Sequence, residues 1–219
     1  WHAMFGVSPE YNSQYYYGYP SLVQKIKDVA SAHGFKGEYR GDELLWRSPD
    51  CPWCNPGDPL DSNTVAAKYY ARGIMMHLGM DVTAGTAGLS NLRPESFATV
   101  QNLSTSMAGA RPLDLNVDIQ SEATNIMSYA FSLPNGDMLL ALWTNGVAVD
   151  EDPGVKTTLT FPGVSAQKVI GIDVLNGFEQ VLITEIENGS LVIHNLLLKD
   201  YPIILHLIYR RRAPRVLFS

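Results

Sequence analysis

The sequence predicts a mixed chain, α/β followed by all-β: about three βα units with a parallel sheet, packed on a C-terminal antiparallel β-sandwich. Two observations carry this. Over residues 1–110 apolar stretches with strand character alternate with stretches of helical spacing, the order of βα units. Beyond Pro112 the texture changes to short apolar runs, and Asn-Gly recurs at Asn135, Asn145, Asn176 and Asn188, a hairpin signal.

The elements follow in order. Trp1 to Val7 is apolar and reads as a short buried strand. Ser8 to Pro20 reads as a loop rich in tyrosine: Tyr11, Tyr15, Tyr16, Tyr17 and Tyr19. Ser21 with Gln24 forms a capping-box pattern. Leu22, Ile26, Val29, Ala30 and His33 continue it at helical spacing, and Gly34 suits the stop. Phe35 to Trp46 reads as a strand, and Ser48 to Ser62 as a Pro/Gly/Asp loop. A second helix is expected from about Thr64 to Leu78, stopped by Gly79, and a strand from Met80 to Ala87. Pro94 opens a third helix that ends near Gly109. Strands are then expected at 128–133, 138–143, 156–161, 168–175, 179–185, 191–196 and 203–209. The domain boundaries expected are 1–110, 111–209 and a basic tail at 210–219.

Hydrophobic residues make up 46% of the 219 and charged ones 17%, which favours a packed chain over a disordered one. Net charge is −6 and no basic face is visible before the run Arg210-Arg211-Arg212, so no nucleic acid partner is expected. No stretch of 18 apolar residues exists, so no membrane-spanning helix is expected. The chain opens on Trp1-His2-Ala3-Met4-Phe5 without an initiator methionine, and is expected to enter inside a structural element. Cys51 and Cys54, in Cys-Pro-Trp-Cys, lie in a Pro/Gly-rich loop. That place favours a loop staple or free pair over a redox site at a strand-to-helix turn. A zinc site needs two further ligands, and His33 and His77 are distant in sequence, so neither metal nor cofactor is expected.

Charge and aromatic surface crowd the end of the second strand. In parallel α/β sheets ligands bind beyond the carboxyl ends of strands. Glu38, Asp42 and Glu43 lie in or beside that strand, backed by Trp46 and Arg47. Strand alternation places Glu43 on the face of Tyr39 and Gly41, and Glu38 with Arg40 and Asp42. A carboxylate so placed suits a nucleophile or a general acid; the plainer alternative is a surface ion pair such as Glu38 with Arg40.

Trp1-His2-Ala3-Met4-Phe5, the tyrosine-rich segment, and Gly37-Glu38-Tyr39-Arg40-Gly41-Asp42-Glu43-Leu44-Leu45-Trp46-Arg47 together resemble the last three βα units of a clan A glycoside hydrolase, nearest to the family 39 group. Ala66 to Gly73 is similar to the helix that follows the catalytic strand there. The resemblance implies a partial (β/α)8, or TIM, barrel with a β-sandwich packed on it, and hydrolysis of β-linked sugars. In that group the sixth strand ends in an aromatic–His pair and the seventh in a catalytic glutamate followed closely by tryptophan. By position Glu43 matches the nucleophile, with Glu38 as fallback. His2 matches the residue that orients it, and Trp46, Tyr39, Tyr15 and Arg47 are expected to line the sugar site.

The departure is large. Retaining hydrolysis needs two carboxyl groups about 5–5.5 Å apart. The family's acid/base glutamate belongs to the fourth strand, and this chain starts near the sixth. The second acid is therefore sought among Glu38, Glu10 and Asp42, or in another copy. Three strands of an eight-stranded barrel leave unpaired edges, so a homo-oligomer through the exposed barrel edge is expected.

Overall fold

The computed structural model describes residues 1–4, 6–49, 60–86 and 92–209. The Cys51–Cys54 motif and the tail from Arg210 lie outside the described residues. It is a mixed α/β chain with three helices and several antiparallel strands among those residues. None of the described helices is long and apolar enough to cross a membrane.

Helix α1 (Pro9–Ala32) corrects the expected tyrosine-rich loop, because that segment is helical. Pro9 opens a first turn, which Asn12 breaks with φ −152° and ψ 71°. The Asn12 side chain then restarts the helix, its Oδ1 accepting the Tyr15 amide at 3.1 Å. Tyr16, Tyr19 and Val23 fall on one buried face, so burial fixes as helix a stretch whose composition suggested a loop. Ser21 and Gln24 lie inside this helix and cap nothing; Gln24 instead donates to Asp28 Oδ1 at 2.7 Å.

Strand β1 (Arg40–Leu44) is shorter than the run expected from Phe35. Helix α2 (Asn63–Gly79) starts where Ser62 Oγ accepts the Val65 amide at 3.0 Å, and its residues from Val65 to His77 are all buried. Gly79 lies in the last turn rather than beyond it, and a Cβ there would meet the Tyr129 ring at 2.1 Å. Close approach of the following sheet, not helix termination, accounts for that glycine. Strand β2 (Thr83–Thr86) and helix α3 (Pro94–Ser106) complete the first half.

Three runs are parallel. β1 pairs with β2. The opening segment runs beside β1 through a His2–Asp42 bridge, the Asp42 amide reaching the Trp1 carbonyl at 3.0 Å and the Leu45 amide that of Met4 at 3.1 Å. Ala3 and Met4 are buried there, as expected for this segment.

The second half holds β3 (Arg111–Leu113), β4 (Asp118–Ser121), β5 (Ile126–Ser132), β6 (Met138–Thr144), β7 (Val155–Pro162), β8 (Lys168–Asp173), β9 (Phe178–Val181), β10 (Glu185–Glu187), β11 (Ser190–Leu198) and β12 (Ile203–Ile208). They form a six-stranded antiparallel sheet in the order β3-β5-β6-β12-β8-β9 and a four-stranded one, β10-β11-β7-β4. The run expected as one strand at 179–185 is two, β9 and β10, which pair into different sheets. β3 and β4 are short, and the apolar pattern gave no sign of them.

Alternation along β6 divides the core. Leu140 and Leu142 join Leu159, Phe161, Leu191, Ile193, Leu205 and Leu207 between the two sheets. Leu139, Ala141 and Trp143 face the helices and pack with Tyr16, Tyr69, Met75 and Met76. The six-stranded sheet is thus covered on both faces.

Three Asn-Gly pairs behave as hairpin turns: Asn188 and Gly189 both take positive φ between β10 and β11, Gly136 does so between β5 and β6, and Gly177 between β8 and β9. Asn145 does something else. It is buried, and its Oδ1 accepts from the Tyr16 hydroxyl at 2.7 Å and from Trp143 Nε1 at 3.0 Å.

Candidate active site

The carboxyl end of β1 is irregular. Gly41 pairs with Ala84 and Leu44 with Thr86, so two residues of β1, Asp42 and Glu43, stand against Gly85 alone. This is a β-bulge, and Glu43 occupies its left-handed position with φ 56°. The expected alternation fails here for that reason: Leu44, not Glu43, shares the buried face of Gly41. The extra residue turns the Glu43 side chain outward, where it is 49% exposed. A non-glycine residue in this region costs on the order of 1 kcal/mol or more, and such strain gathers at functional sites.

Glu43 meets His2 from the neighbouring parallel run, Oε2 lying 2.7 Å from Nδ1. Asp42 Oδ1 stands 3.9 Å from the same nitrogen and is itself a buried oxygen without a hydrogen bond. Two carboxylates and an imidazole therefore converge where the opening segment runs beside the carboxyl end of β1. The imidazole can hold Glu43 in one orientation.

The other expected residues lie elsewhere. Trp46 is buried, its Nε1 donating to the Val7 carbonyl at 2.9 Å and its ring stacked on Tyr69 at 6.2 Å. A Cβ on Gly73 would meet that indole at 2.4 Å, so Trp46 is fixed against α2 and faces no cleft. Tyr39 sits before the amino end of β1, beside Phe35 and under Lys27. Glu38 is also before β1, beside Asp81, Val82 and Arg111, and the fold does not bring it to Glu43. Tyr15 is half-buried, donating to the Ala3 carbonyl at 2.9 Å. Arg47 is half-buried past the end of β1, where its carbonyl accepts the Asp61 amide at 2.8 Å.

A second acidic group gathers nearby in the fold. Glu10 accepts the Tyr69 hydroxyl at 2.6 Å, and that hydroxyl also accepts the Ala148 amide at 3.0 Å. Asp61 is buried. Burial, and then the charge of Glu10, push its carboxyl up to about 7. The sequence reading missed Asp61: in Asp-Ser-Asn before a helix the evident role is capping, and nothing local announces the burial that shifts it.

Behind β1 lies a neutral imidazole. His77 is buried, with Nδ1 2.6 Å from the Gly73 carbonyl and Nε2 2.6 Å from the Tyr19 hydroxyl. Its pKa is lowered, chiefly by burial. The Gly73 carbonyl can only accept, so Nδ1 carries the ring proton and Nε2 accepts the hydrogen bond that the Tyr19 hydroxyl donates.

No family model matches the chain, and no curated protein does. Among solved structures it is similar to a GH51 arabinofuranosidase from Xanthomonas axonopodis pv. citri, with 12% identity and a TM-score of 0.48 over 77% of this chain and 40% of that one. It is also similar to the catalytic domain of GH30 xylanase C from Talaromyces cellulolyticus, with 12% identity and a TM-score of 0.45 over 80% of this chain and 42% of that one. The chain spans about two-fifths of the length of each.

Proposed function

We propose that the chain carries one side of a glycoside hydrolase site for β-linked sugars, with Glu43 as the nucleophile and His2 as the residue that orients it. The observation that carries this reading is the bulge. An acid in a strained left-handed position, turned outward at the carboxyl end of a parallel strand, is paired at 2.7 Å with a histidine of the next run. On this reading the three parallel runs are a partial (β/α) barrel and the two antiparallel sheets its sandwich. Glu43 attacks the anomeric carbon and a carboxylic acid protonates the leaving oxygen. Asp42 is the acid beside Glu43 in the same copy. A second copy, docked on the open edge of the parallel runs, is the source proposed for the acid/base.

The test is release of chromophore from aryl β-glucosides and β-xylosides. Wild type is expected to turn over and Glu43→Gln to lose activity, with specific activity rising with protein concentration as copies associate. Equal turnover by both removes Glu43 from the role.

A second reading, a sugar-binding or remnant fold without catalysis, is favoured by one observation: Trp46 is packed into the core and offers no platform for a sugar ring. Absence of turnover in wild type at every concentration selects it.

A further inference from the structure

Among the described residues, the most exposed large apolar side chains do not lie at the carboxylate site. Ile183 is 86% exposed, Phe178 72%, Ile186 67% and Val181 57%, and all four belong to one short ribbon formed by β9, β10 and the link between them. β9 is one edge of the six-stranded sheet, whose other edge is β3, and β10 is one edge of the four-stranded sheet, whose other edge is β4. The ribbon thus crosses the open side of the stacked sheets, and two unpaired strand edges lie together on it. Behind it is a groove of about 490 Å³ whose walls include Ile172, Leu182, Ile193, Leu196 and Tyr201.

Water-facing strand edges are ordinarily blunted by lysine, proline or a covering element. Here residues 178–187 read Phe-Glu-Gln-Val-Leu-Ile-Thr-Glu-Ile-Glu, with no basic residue and no proline. Their charges are Glu179, Glu185 and Glu187, all of one sign. Lys199, on the far wall of the groove, is engaged with the Asp152 carbonyl at 2.7 Å, and His194 with Glu187 at 2.8 Å. Lys168 stands at the start of β8. A second copy of the same ribbon would bring glutamates against glutamates, which disfavours self-pairing. The complement of this surface is an extended strand whose side chains are alternately apolar and basic: backbone hydrogen bonds to the edge supply affinity, and charge supplies the register.

We propose that the β9–β10 ribbon is a docking edge for an extended, basic and apolar segment of a partner protein, added as a strand to β9. It is independent of the carboxylate site and of the reading given to it.

The probe is a labelled hexapeptide, Arg-Val-Arg-Leu-Arg-Phe, titrated with the full chain by fluorescence anisotropy, with a Glu-Val-Glu-Leu-Glu-Phe peptide as its counterpart. The basic peptide is expected to bind saturably, and the acidic one not. Reversing two exposed charges, Glu179→Lys with Glu185→Lys, is expected to weaken the basic peptide by at least about tenfold and to admit the acidic one. Ile183→Ser with Phe178→Ser, both at exposed positions, is expected to weaken both charge variants' ligands without lowering Tm. Methylating alternate peptide nitrogens abolishes binding if the peptide adds as a strand. No binding of the basic peptide overturns the proposal. So does binding unchanged by charge reversal, or a dimer in light scattering that Ile183→Ser with Phe178→Ser dissolves.

Discussion

The Glu43 carboxylate and the His2 imidazole approach to 2.7 Å because a β-bulge holds Glu43 in a conformation that glycine takes most easily. Chemistry and backbone preference are opposed at this residue. Glu43→Gly is therefore expected to keep or raise stability by about 0.5–1 kcal/mol, while removing any hydrolytic activity. Urea denaturation checks the first part and aryl glycoside turnover the second. A loss of 2 kcal/mol or so would instead make the carboxylate a structural tie.

Asp61 sets a pH dependence. Its carboxyl is pushed from 3.8 up to about 7 by burial and by Glu10, so the folded chain holds a proton that the unfolded chain releases. The stability linked to this group is complete below about pH 4 and is lost as pH rises from there to about 7. Asp61→Asn is expected to raise Tm by at least about 3 °C at pH 8 and to leave it little changed at pH 4. Thermal melts at the two pH values check this; an equal shift at both would exclude the linkage.

Gly41 is required by close approach rather than by backbone freedom. A Cβ there would stand 2.6 Å from the buried His77 ring and 3.2 Å from Ala3. Gly41→Ala is expected to cost about 1–3 kcal/mol by overpacking, read from the midpoint of chemical denaturation.

Lys68 and Asp200 form a buried ion pair at 2.7 Å, and the other Asp200 oxygen accepts the Val149 amide at 2.9 Å. Lys68→Met leaves a buried carboxylate without its cation and is expected to cost about 3–5 kcal/mol. Asp200→Asn, which keeps an acceptor for Val149, is expected to cost less. The two midpoints compared in one denaturant series decide it.

The sequence made the long periodic elements legible and lost what depends on distant contacts. Helix α2 was expected within a residue of its ends, since its cap and apolar spacing are local. Most sheet strands were placed nearly as well, because turn chemistry brackets them. The tyrosine-rich start of α1 was not, since tyrosine has no strong helix preference of its own and only burial of Tyr16 and Tyr19 decides it. Asn145-Gly146 looked like its three counterparts, yet a hydroxyl 129 residues earlier in the chain converts it to a buried acceptor. At the carboxylates, proximity of His2 to Glu43 was expected from the resemblance, but the bulge that aims Glu43 is invisible to strict alternation. Trp46 read as a sugar platform because its place on the strand is right; its ring turns inward because Gly73 leaves room for it.

The hydroxyl of Tyr16 on Asn145, and the ring of Tyr129 seated against Gly79, stitch the first hundred residues to the sheet that follows. Apolar side chains from both sides of residue 110 belong to one continuous interior. Neither portion, made alone, would have a surface fit for water: the strands would bare Trp143 and Leu139, and the helices Tyr69 and Met75. A nick near that position should leave two pieces clasped together, melting as one.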